Sequence, residues 1–495
     1  MKTNNRILLV YPSPLGAKFP ELPLPLLYLS YALKKSNFEV DILDMRLNKY
    51  NSIDPHKYLF VGISTMTGPM IIEGLKIARL VKEKAKDIPI VWGGVHPSLL
   101  PEQTLQHPYV DIVVKGEGEA TIQELAHTLA AGKEIFDIKG IGYKRDGNIF
   151  VNQDREFIDL NDIDIALPYE LFPMKQYVID HFPIHTSRGC PYRCGFCYDL
   201  SFNKRKWRCK NAARVVHEIE YVTGRFGVNH ITFTWEDEFF IDTERVRQIC
   251  DGLLKRNIKI TWDAFCRFNH FYKFEEDFVK LLERSGCSCL SFGAESGSTR
   301  ILDEIVKKDI TVEHIIKTTE KLKNTNIRQI VSFISGLPTE TEDDMKKTYD
   351  LMDKLYAINT KIYLNGIYLY TPYPGTPLFN LVRQRYNYKM PDSFEKWGST
   401  FKIYRDVGIT WHPKKYINKY KTISILTRFP FYLKSFKFSD VKKVVGGQRF
   451  ATFPYNAIYY FFTMLARWRW KHKQFGFPFE WMVLEKIIDK IRGFV

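Results

Sequence analysis

The chain has 495 residues, of which 45% are hydrophobic and 26% charged, a globular composition with room for two or three domains. Eight cysteines in this length exclude a disulfide-stapled scaffold. The formal net charge of +16 is concentrated at one end, because residues 401–495 contain 19 Lys and Arg against 5 Asp and Glu and so contribute +14 of it. The first residues lead into a strand-like run without the apolar core of a signal peptide, so we expect a protein of the reducing cytoplasm.

Residues 1–145 alternate short buried strands with amphipathic helices. This pattern predicts an α/β domain with a doubly wound parallel sheet of the Rossmann type. Ligands of such sheets bind at the carboxyl ends of the strands. The predicted strands are Ile7–Tyr11, Val40–Asp44, Leu59–Ser64, Ile88–Gly94 and Ile112–Val114, and the predicted helices are Pro25–Lys35 and Pro69–Lys84.

Small and polar residues follow three of these strands, at Ser64, at the pair Gly93 and Gly94, and at residues 116–119. Glycines there let a ligand approach the backbone closely, although each loop alone is typical of any strand end. Together the loops resemble the cobalamin-binding (B12-binding) domain that precedes many radical S-adenosylmethionine (SAM) domains. The resemblance implies that Ser64, Gly93 and Gly94 accommodate the nucleotide tail of cobalamin.

The loop after the first strand departs from the pattern of that domain. Many of its members have Asp-x-His-x-x-Gly there, whose histidine ligates cobalt, whereas this chain has no histidine between Tyr11 and Gly16. Cobalt is therefore expected to lack a ligand from this loop. His96 is an alternative ligand, but we interpret it as a loop residue held by hydrogen bonds. The alternative that this domain binds no cobalamin stays open.

Residues 146–180 have a loop-like composition and are interpreted as a linker, and residues 181–385 return to alternating strands and helices. Six strand–helix units predict an open, partial (β/α)6 barrel, with its chemistry at the carboxyl ends of the strands. Thr339 and Glu342 are predicted to form a capping box for the last helix. The predicted strands are Phe182–Thr186, His230–Thr234, Lys259–Phe265, Cys289–Gly293, Arg328–Ser335 and Tyr363–Tyr370. The predicted helices are Ala213–Phe226, Glu244–Arg256, Glu275–Arg284, Val312–Asn324 and Asp343–Tyr356.

Three cysteines, Cys190, Cys194 and Cys197, follow the first predicted barrel strand at C-x3-C-x2-C spacing. Three thiolates can hold three irons of a [4Fe–4S] cluster and leave the fourth iron open for a small molecule. A zinc site is the alternative, but it would need a fourth ligand, for which His185 is the only close candidate. The motif closely resembles that of the radical SAM superfamily. The resemblance implies that the open iron binds SAM and that an electron then cleaves it to methionine and a 5′-deoxyadenosyl radical.

The later strand ends carry segments that resemble the same superfamily in the same order. By resemblance, an acidic pair lies beside the methionine moiety of SAM, Glu295 of a Glu-Ser-Gly turn contacts SAM, and Phe196 lies against adenine next to a serine-containing strand. Arg267 could pair with a carboxylate through its planar fork of donors. Each carboxylate alone could be a solvated strand end, but five segments in order favour a SAM site. The candidate residues are Phe196, Glu236, Asp237, Arg267, Glu295 and Ser332.

Residues 386–495 do not continue the alternation and are predicted to form a mainly helical, basic and aromatic segment. Its longest apolar run, Tyr455–Ala466, is shorter than the about 20 residues that cross a bilayer. Aromatic and basic stretches such as Phe429–Phe438 leave three interpretations open. They are a helical cap over the barrel mouth, a peripheral contact with anionic lipid, and contact with single-stranded nucleic acid. Nucleic acid ranks last, because no RNA-binding module is recognisable.

The resemblance as a whole is to the methyltransferase and anaerobic-cyclase group of B12-binding radical SAM enzymes. It implies a [4Fe–4S] cluster, SAM and cobalamin as cofactors, and methylation of an unactivated carbon of a small hydrophobic or lipid-like substrate. One alternative is a non-methylating radical transformation, such as oxidative cyclisation of a tetrapyrrole or coupling of lipid chains. Another is a cobalamin- or SAM-binding regulator without turnover. The expected partners are an electron donor of the flavodoxin or ferredoxin type and, through the basic segment, the inner face of the membrane.

Overall fold

The computed structural model describes residues 5–13, 20–47, 53–177, 180–234, 236–400, 409–429 and 453–483 of the chain. Within these residues the fold is α/β and contains two main sheets with a mainly helical C-terminal part, which confirms the predicted class. Of the predicted aromatic run Phe429–Phe438, all but the first residue lies outside the described residues.

The N-terminal sheet joins seven strands in the spatial order β2-β1-β3-β4-β5-β6-β7, defined by the ranges that follow. The strands are β1 (Arg6–Tyr11), β2 (Glu39–Asp44), β3 (Val61–Ser64), β4 (Ile90–Gly93), β5 (Ile112–Val114), β6 (Ile141–Arg145) and β7 (Asn148–Val151). The helices are α1 (Leu24–Lys35), α2 (Met70–Lys84), α3 (Val95–Leu99), α4 (Pro101–Leu105) and α5 (Glu119–Ala130). The pairs among β1 to β5 are parallel, as predicted. Helices alternate with these strands along the chain, so the carboxyl ends of all five point to one edge.

The last two strands of this sheet differ from the prediction. β5, β6 and β7 pair antiparallel, and Asp146 and Gly147 connect β6 to β7 with φ angles of 50° and 78°. Two successive positive φ angles are typical of a type I′ hairpin turn, for which Asp-Gly is a favoured sequence. The sheet therefore continues to Val151, beyond the boundary at residue 145, because the segment taken for the start of a linker returns as an edge strand.

The second sheet joins six parallel strands in the order β15-β14-β13-β12-β11-β8, in agreement with the predicted partial barrel. A short antiparallel pair, β9 with β10, lies beside it. The strands are β8 (Phe182–Pro183), β9 (Ser187–Arg188), β10 (Arg208–Cys209), β11 (His230–Thr232), β12 (Thr261–Phe265), β13 (Cys287–Glu295), β14 (Arg328–Ser335) and β15 (Tyr363–Leu369). The helices are α6 (Asp199–Phe202), α7 (Ala212–Phe226), α8 (Thr243–Lys255), α9 (Phe268–Phe271), α10 (Glu276–Arg284), α11 (Val312–Lys323), α12 (Glu342–Ile358) and α13 (Pro377–Tyr386).

The capping box of α12 lies two residues later than predicted. The hydroxyl of Thr341 accepts from the amide of Asp344 at 3.2 Å, and the Asp344 carboxylate accepts from the amide of Thr341 at 2.9 Å. Thr339 instead has a φ of 65°, and its hydroxyl accepts from Arg300 at 3.1 Å. Because Thr339 and Thr341 both precede acidic residues at the correct spacing, the sequence pattern alone could not separate them.

The C-terminal part contributes α14 (Phe394–Thr400), α15 (Lys414–Leu426) and α16 (Phe453–Lys471). α14 packs on the N-terminal sheet, where the ring of Phe394 meets Trp92 edge to face at 5.0 Å between centroids. Trp397 Nε1 also donates to Gln103 Oε1 at 2.7 Å. One hydrophobic core cluster therefore contains residues of the first sheet and of the C-terminal part. In the portion of the chain that the structure describes, no helix has the length and apolarity needed to cross a bilayer.

Candidate functional site

The three motif cysteines lie on one loop between β9 and α6, and none forms a disulfide. Cys194 is buried, and Cys190 and Cys197 are half-buried. Burial raises the pKa of Cys190 to about 12 and raises that of Cys197 well above its usual range. Metal binding would release these protons, since the thiolate is the ligand. Three free thiols on one short loop fit the donor set of a [4Fe–4S] cluster.

Gly195 braces the middle of this loop against the barrel. Its amide donates to the carbonyl oxygen of Val306 at 2.8 Å, and its carbonyl oxygen accepts from the amide of Leu378 at 2.9 Å. A Cβ atom at this position would lie 2.8 Å from the carbonyl oxygen of Ile305. Glycine is therefore required here by a close backbone approach, and the two hydrogen bonds fix the middle of the loop against the barrel.

Arg267 lies directly against the cysteine loop. Its guanidinium donates to Cys194 Sγ at 3.4 Å and to the carbonyl oxygen of Lys308, and it covers the ring of Tyr192 at 3.6 Å from the centroid. Its Nε also donates to Asn269 Oδ1 at 3.2 Å, so the hydrogen-bond partners of Arg267 are a sulfur and two oxygens of the protein. Its pairing with a SAM carboxylate stays a prediction.

Glu236 and Asp237 follow β11 and hold the segment that leads into the cysteine loop. Glu236 is buried and accepts from the amide of Thr186 and, at 2.6 Å, from the hydroxyl of Ser187. Asp237 accepts from the amide of Gly189 at 3.1 Å. Both acidic residues therefore position the chain immediately before Cys190 in addition to facing the cavity described below.

Asp237 also lies close to the buried Asp199, which the sequence analysis did not single out. Burial, together with the charge of Asp199, raises the pKa of Asp237 to about 7. The carboxylate of Asp199 in turn accepts from the side-chain amide of Asn203. Two neighbouring buried carboxyl groups favour one shared proton, so this pair carries less than two negative charges at neutral pH.

Glu295 ends β13 with a left-handed φ of 62°. Its carboxylate accepts from Lys308 Nζ, and both residues are buried. The two side chains fill the space over Gly293, so a side chain at that position would collide with them. Lys308 contacts both site residues, because its Nζ donates to Glu295 and its carbonyl oxygen accepts from Arg267. Nothing in the local sequence of Lys308 marked it as part of the site.

Phe196 and Ser332 lie on the two elements that were predicted to enclose adenine. Phe196 is half-buried and packs against the hydrophobic core cluster that contains residues of the first sheet and of the C-terminal part. Ser332 lies in the middle of β14, and its hydroxyl donates to the carbonyl oxygen of Phe292 at 3.4 Å. Both residues are partly exposed, so a ligand could reach them, and their roles beside adenine stay predictions.

A cavity of about 550 Å³ lies between the carboxyl ends of the two sheets. Ser64, Gly93 and Gly94 line it from the N-terminal sheet, and Glu236 and Asp237 line it from the barrel. These residues are separated by more than 140 positions in sequence, yet they face one space, as the strand-end argument predicts. The remaining candidates do not belong to its described lining and cluster at the cysteine loop or on neighbouring strands.

Gly94 lines this cavity from the N-terminal sheet. Its backbone has φ 93° and ψ −167°, a conformation essentially confined to glycine. A Cβ atom there would lie 2.5 Å from the carbonyl oxygen of Thr65 and 3.2 Å from Ser64 Oγ. At Gly93 the nearest atom to an added Cβ is 3.6 Å away, which is ordinary contact. Gly94 therefore allows the close approach of these two loops at the wall of the cavity.

His96 does not belong to the described lining of the cavity. It is fully buried, its Nδ1 lies 2.9 Å from Thr67 Oγ1, and its ring packs between Phe394 and Trp397. Burial lowers its pKa to about 3, so it is neutral. His96 lies in α3 and not in a loop, whereas its hydrogen bond to Thr67 agrees with the rest of the interpretation.

Arg188 joins the barrel to the N-terminal domain two residues before Cys190. Its guanidinium donates to Glu117 at 3.1 Å and to Glu119 at 2.7 Å, and Arg208 reaches Glu117 at 2.9 Å. The four side chains are largely or fully buried. We call this group the interdomain bridge. The sequence marked residues 116–119 as a loop at a strand end, but it carried no sign of their partners.

The residues present fit the cofactors that the motifs imply. The free thiols of Cys190, Cys194 and Cys197 supply the ligands of a cluster, and the loops that carry Ser64 and Gly94 line the cavity and approach each other so closely that only glycine fits at position 94. The strand ends of both domains meet at one cavity. The fold and site thus define a two-domain enzyme that brings an iron–sulfur cluster and a nucleotide-tailed cofactor together.

Comparison with known proteins places the chain within this class. The B12-binding domain family matches residues 16–126, and the radical SAM superfamily matches residues 184–352. An uncharacterized methyltransferase of Pyrococcus horikoshii is 33% identical over 372 residues, which cover 72% of this chain and 77% of the relative. The chain belongs to the radical SAM superfamily, in the group whose members carry an N-terminal B12-binding domain. It is a cobalamin-dependent radical SAM enzyme, and this excludes the regulator without turnover.

Other relatives and solved structures agree with this assignment. The anaerobic magnesium-protoporphyrin IX monomethyl ester cyclase of Rubrivivax gelatinosus is 28% identical over 334 residues, covering 64% of this chain and 57% of that protein. The radical SAM methyltransferase TsrM of Kitasatospora setae matches with a TM-score of 0.64 at 20% identity over 77% of this chain and 75% of its own. The cobalamin-dependent enzyme OxsB matches with a TM-score of 0.68 at 18% identity, covering 94% of this chain and 72% of its own. These structures establish the fold.

Proposed function

We propose that the protein transfers a methyl group to an unactivated carbon of a hydrophobic substrate. The observation that carries this proposal is the shared cavity, where the strand-end loops of the B12-binding domain face the acidic pair of the barrel. The methyltransferase from P. horikoshii, 33% identical, supports methyl transfer over other outcomes. When bound, the cluster supplies the electron that cleaves SAM, and cobalamin supplies the methyl group.

The chain's own residues would divide the work among three groups. Cys190, Cys194 and Cys197 hold the cluster, and Ser64, Gly93 and Gly94 receive the tail of cobalamin. The SAM-binding group is Phe196, Glu236, Asp237, Arg267, Glu295 and Ser332. Several of these side chains already have protein partners, so SAM would have to share or replace those hydrogen bonds. Residues 1–145, 181–385 and 386–495 are proposed as the three domains, with the first sheet extending to Val151.

The hydrophobic class of substrate is supported by side chains that line the cavity without being buried. Met66 and Phe265 are 51% and 41% exposed, although large apolar side chains usually avoid water. Both line the cavity, one from each domain. Exposed apolar side chains at a junction of polar loops indicate a surface that an apolar ligand covers.

Product analysis with labelled SAM tests the reaction type. The full chain would be reconstituted anaerobically with iron, sulfide and cobalamin, and incubated with a reductant, methyl-deuterated SAM and a hydrophobic cell extract. We expect 5′-deoxyadenosine and a product in which one hydrogen is replaced by the labelled methyl group. A product that lacks the label and has lost hydrogen or gained oxygen would contradict methyl transfer.

The second candidate is a radical transformation without methyl transfer. Its support is the cyclase of R. gelatinosus, which is 28% identical and is one of several relatives with that name. In that case the cavity would position substrate for oxidation or cyclisation, and the same experiment would give an unlabelled product. The two reactions share the cysteine loop and differ in the fate of the substrate radical.

A radical SAM enzyme needs a reductant and a substrate. We propose that the reductant is a flavodoxin- or ferredoxin-type protein, since SAM cleavage takes one electron of low potential.

We also propose that the chain is a cytoplasmic protein and contacts the inner face of the membrane peripherally. Ile458, Phe461 and Trp468 of α16 are 56%, 60% and 56% exposed and lie three and seven residues apart, on one helix face. An apolar helix face in a basic segment is typical of binding to anionic lipid.

Vesicle flotation tests this membrane contact with the full chain. Wild-type protein is expected to float with vesicles that contain phosphatidylserine and to remain unbound with phosphatidylcholine alone. The variant Phe461→Ser/Trp468→Ser should lose at least about tenfold in bound fraction, because each buried aromatic side chain contributes about 1.5–3 kcal/mol. The matched control is Phe150→Ser, which removes a phenylalanine of 42% exposure from β7. Equal flotation of all three proteins would refute the contact.

A further inference from the structure

A group of metal-ligating side chains lies outside the site described above, at the opposite ends of the barrel strands. His181 immediately precedes β8, His230 is the first residue of β11, and Asp263 is in β12. Cys190 and Glu236 follow the carboxyl ends of the same strands. The parallel register sets His181 opposite His230, because Ile231 pairs with Phe182. His230 pairs with Thr261, so Asp263 lies two residues further along β12, on the same face of the sheet.

The three donor atoms converge. His230 Nε2 lies 2.8 Å from Asp263 Oδ2, and the rings of His181 and His230 meet with centroids 4.6 Å apart. One ligand atom from each of the three residues lies within 4.8 Å of the other two. Zinc bonds to nitrogen and oxygen are about 2.0–2.2 Å long, so its ligand atoms lie roughly 3–3.5 Å apart. His181 is exposed and can close the remaining gap by rotating its side chain.

The other ring nitrogen of His230 and the other carboxylate oxygen of Asp263 already have hydrogen-bond partners. His230 Nδ1 lies 2.7 Å from Thr261 Oγ1, so its proton can remain there while Nε2 takes a metal. Asp263 Oδ1 accepts from Thr232 Oγ1 at 2.6 Å, so Oδ2 is left for the metal. Hydrogen bonds of this kind to the outer atoms of histidine and carboxylate ligands fix their orientation in metal sites.

We propose that His181, His230 and Asp263 form a second metal site, for a divalent cation of the zinc class. Two imidazoles and one carboxylate suit zinc, nickel or iron(II), and leave at least one coordination position for water. The side chains of His230 and Asp263 are 13% and 17% exposed, so the site is sheltered but reachable. A bound cation would tie β8, β11 and β12 together at the end remote from the cysteine loop.

Competition binding of zinc to the iron–sulfur-reconstituted full chain tests this proposal, since the three motif cysteines are then occupied by iron. With a chelating dye as competitor, we expect wild-type protein to bind one equivalent of zinc at constant iron content. His181→Ala should weaken this binding at least tenfold, and it should fold normally because His181 is exposed. Thr261→Val should weaken it about tenfold by releasing the His230 ring.

The control is His217→Ala, which removes a histidine on α7 that contacts Arg256 at the surface. It should bind zinc as wild type does. Iron content and SAM cleavage would confirm that each variant keeps its fold. Zinc binding of equal strength in wild type and His181→Ala, or no binding by wild type, would overturn the proposal. His230 and Asp263 would then be a hydrogen-bonded pair only. None of these outcomes depends on methyl transfer.

Discussion

Cys194→Ala is expected to abolish binding of the [4Fe–4S] cluster and to reduce SAM cleavage to the level of a protein-free control. Three thiolates bind three of the four irons, so a loop with only two thiolates would leave two irons without a protein ligand. The loss should be complete, because Cys194 is buried and lies 3.4 Å from Arg267, with no other cysteine of the motif able to take its place. Iron and sulfide content, the visible spectrum and 5′-deoxyadenosine would be measured.

The matched control is Cys209→Ala. Cys209 is likewise free and half-buried but lies in β10, outside the motif. It should bind a full complement of iron and cleave SAM at the wild-type rate. Unchanged iron content in Cys194→Ala would refute the assignment of the loop as the cluster site. Equal losses in both variants would indicate general damage to the fold.

Gly94→Ala is expected to remove cobalamin binding while SAM cleavage continues. The alanine Cβ would lie 2.5 Å from a carbonyl oxygen, and the φ of 93° is strained for any side chain. Backbone strain of this kind costs about 1–3 kcal/mol, so cobalamin affinity should fall by about five- to 150-fold if the adjusted loop must return to the present backbone conformation on binding. Absorbance titration with hydroxocobalamin measures the affinity, and 5′-deoxyadenosine reports on the intact barrel.

Gly132→Ala separates this effect from general backbone strain. Gly132 follows α5, has a φ of 63° and would place its Cβ in open space. It should cost some stability but leave cobalamin affinity within about twofold of wild type. Wild-type affinity in Gly94→Ala would contradict the role of this loop, whereas parallel losses of cobalamin and SAM cleavage would indicate unfolding.

The sequence predicted well those parts of the site that depend on neighbours along the chain. The spacing of Cys190, Cys194 and Cys197 is a local property, and strand ends can be located from runs of apolar β-branched residues. Parallel sheets then bring strand ends to one edge, so Ser64 and Glu236 could both be placed at strand ends, where the structure shows them lining one cavity. The fold class followed from the same alternation.

Contacts between distant segments could not be predicted in this way. Lys308 pairs with Glu295, and Arg188 pairs with Glu117, through tertiary structure alone. A lysine or arginine in a charged loop has the same local pattern whether it is solvated or buried in an ion pair. The placement of Trp397 on the N-terminal sheet is a similar case, because nothing near it in sequence specifies Gln103 as its partner.

The hairpin at Asp146 was missed for a different reason. Its Asp-Gly turn is a recognised local signal, but the preceding strands are parallel, and the run after it is short and exposed at alternate positions. An exposed edge strand has little of the apolar character that identifies a buried one. Such strands therefore tend to be assigned to linkers.

The interdomain bridge has a consequence for how the holoenzyme is assembled. Removing one partner from a buried ion pair costs about 3–5 kcal/mol, and Arg188 has two carboxylate partners next to the cysteine loop. Parting the two domains would therefore expose these charges and pull on the chain beside Cys190. Arg188 therefore couples the loop at Glu117 and Glu119 to the position of Cys190. A shift of the N-terminal domain against the barrel, for example when a large cofactor enters the cavity between them, would then also move the cysteine loop.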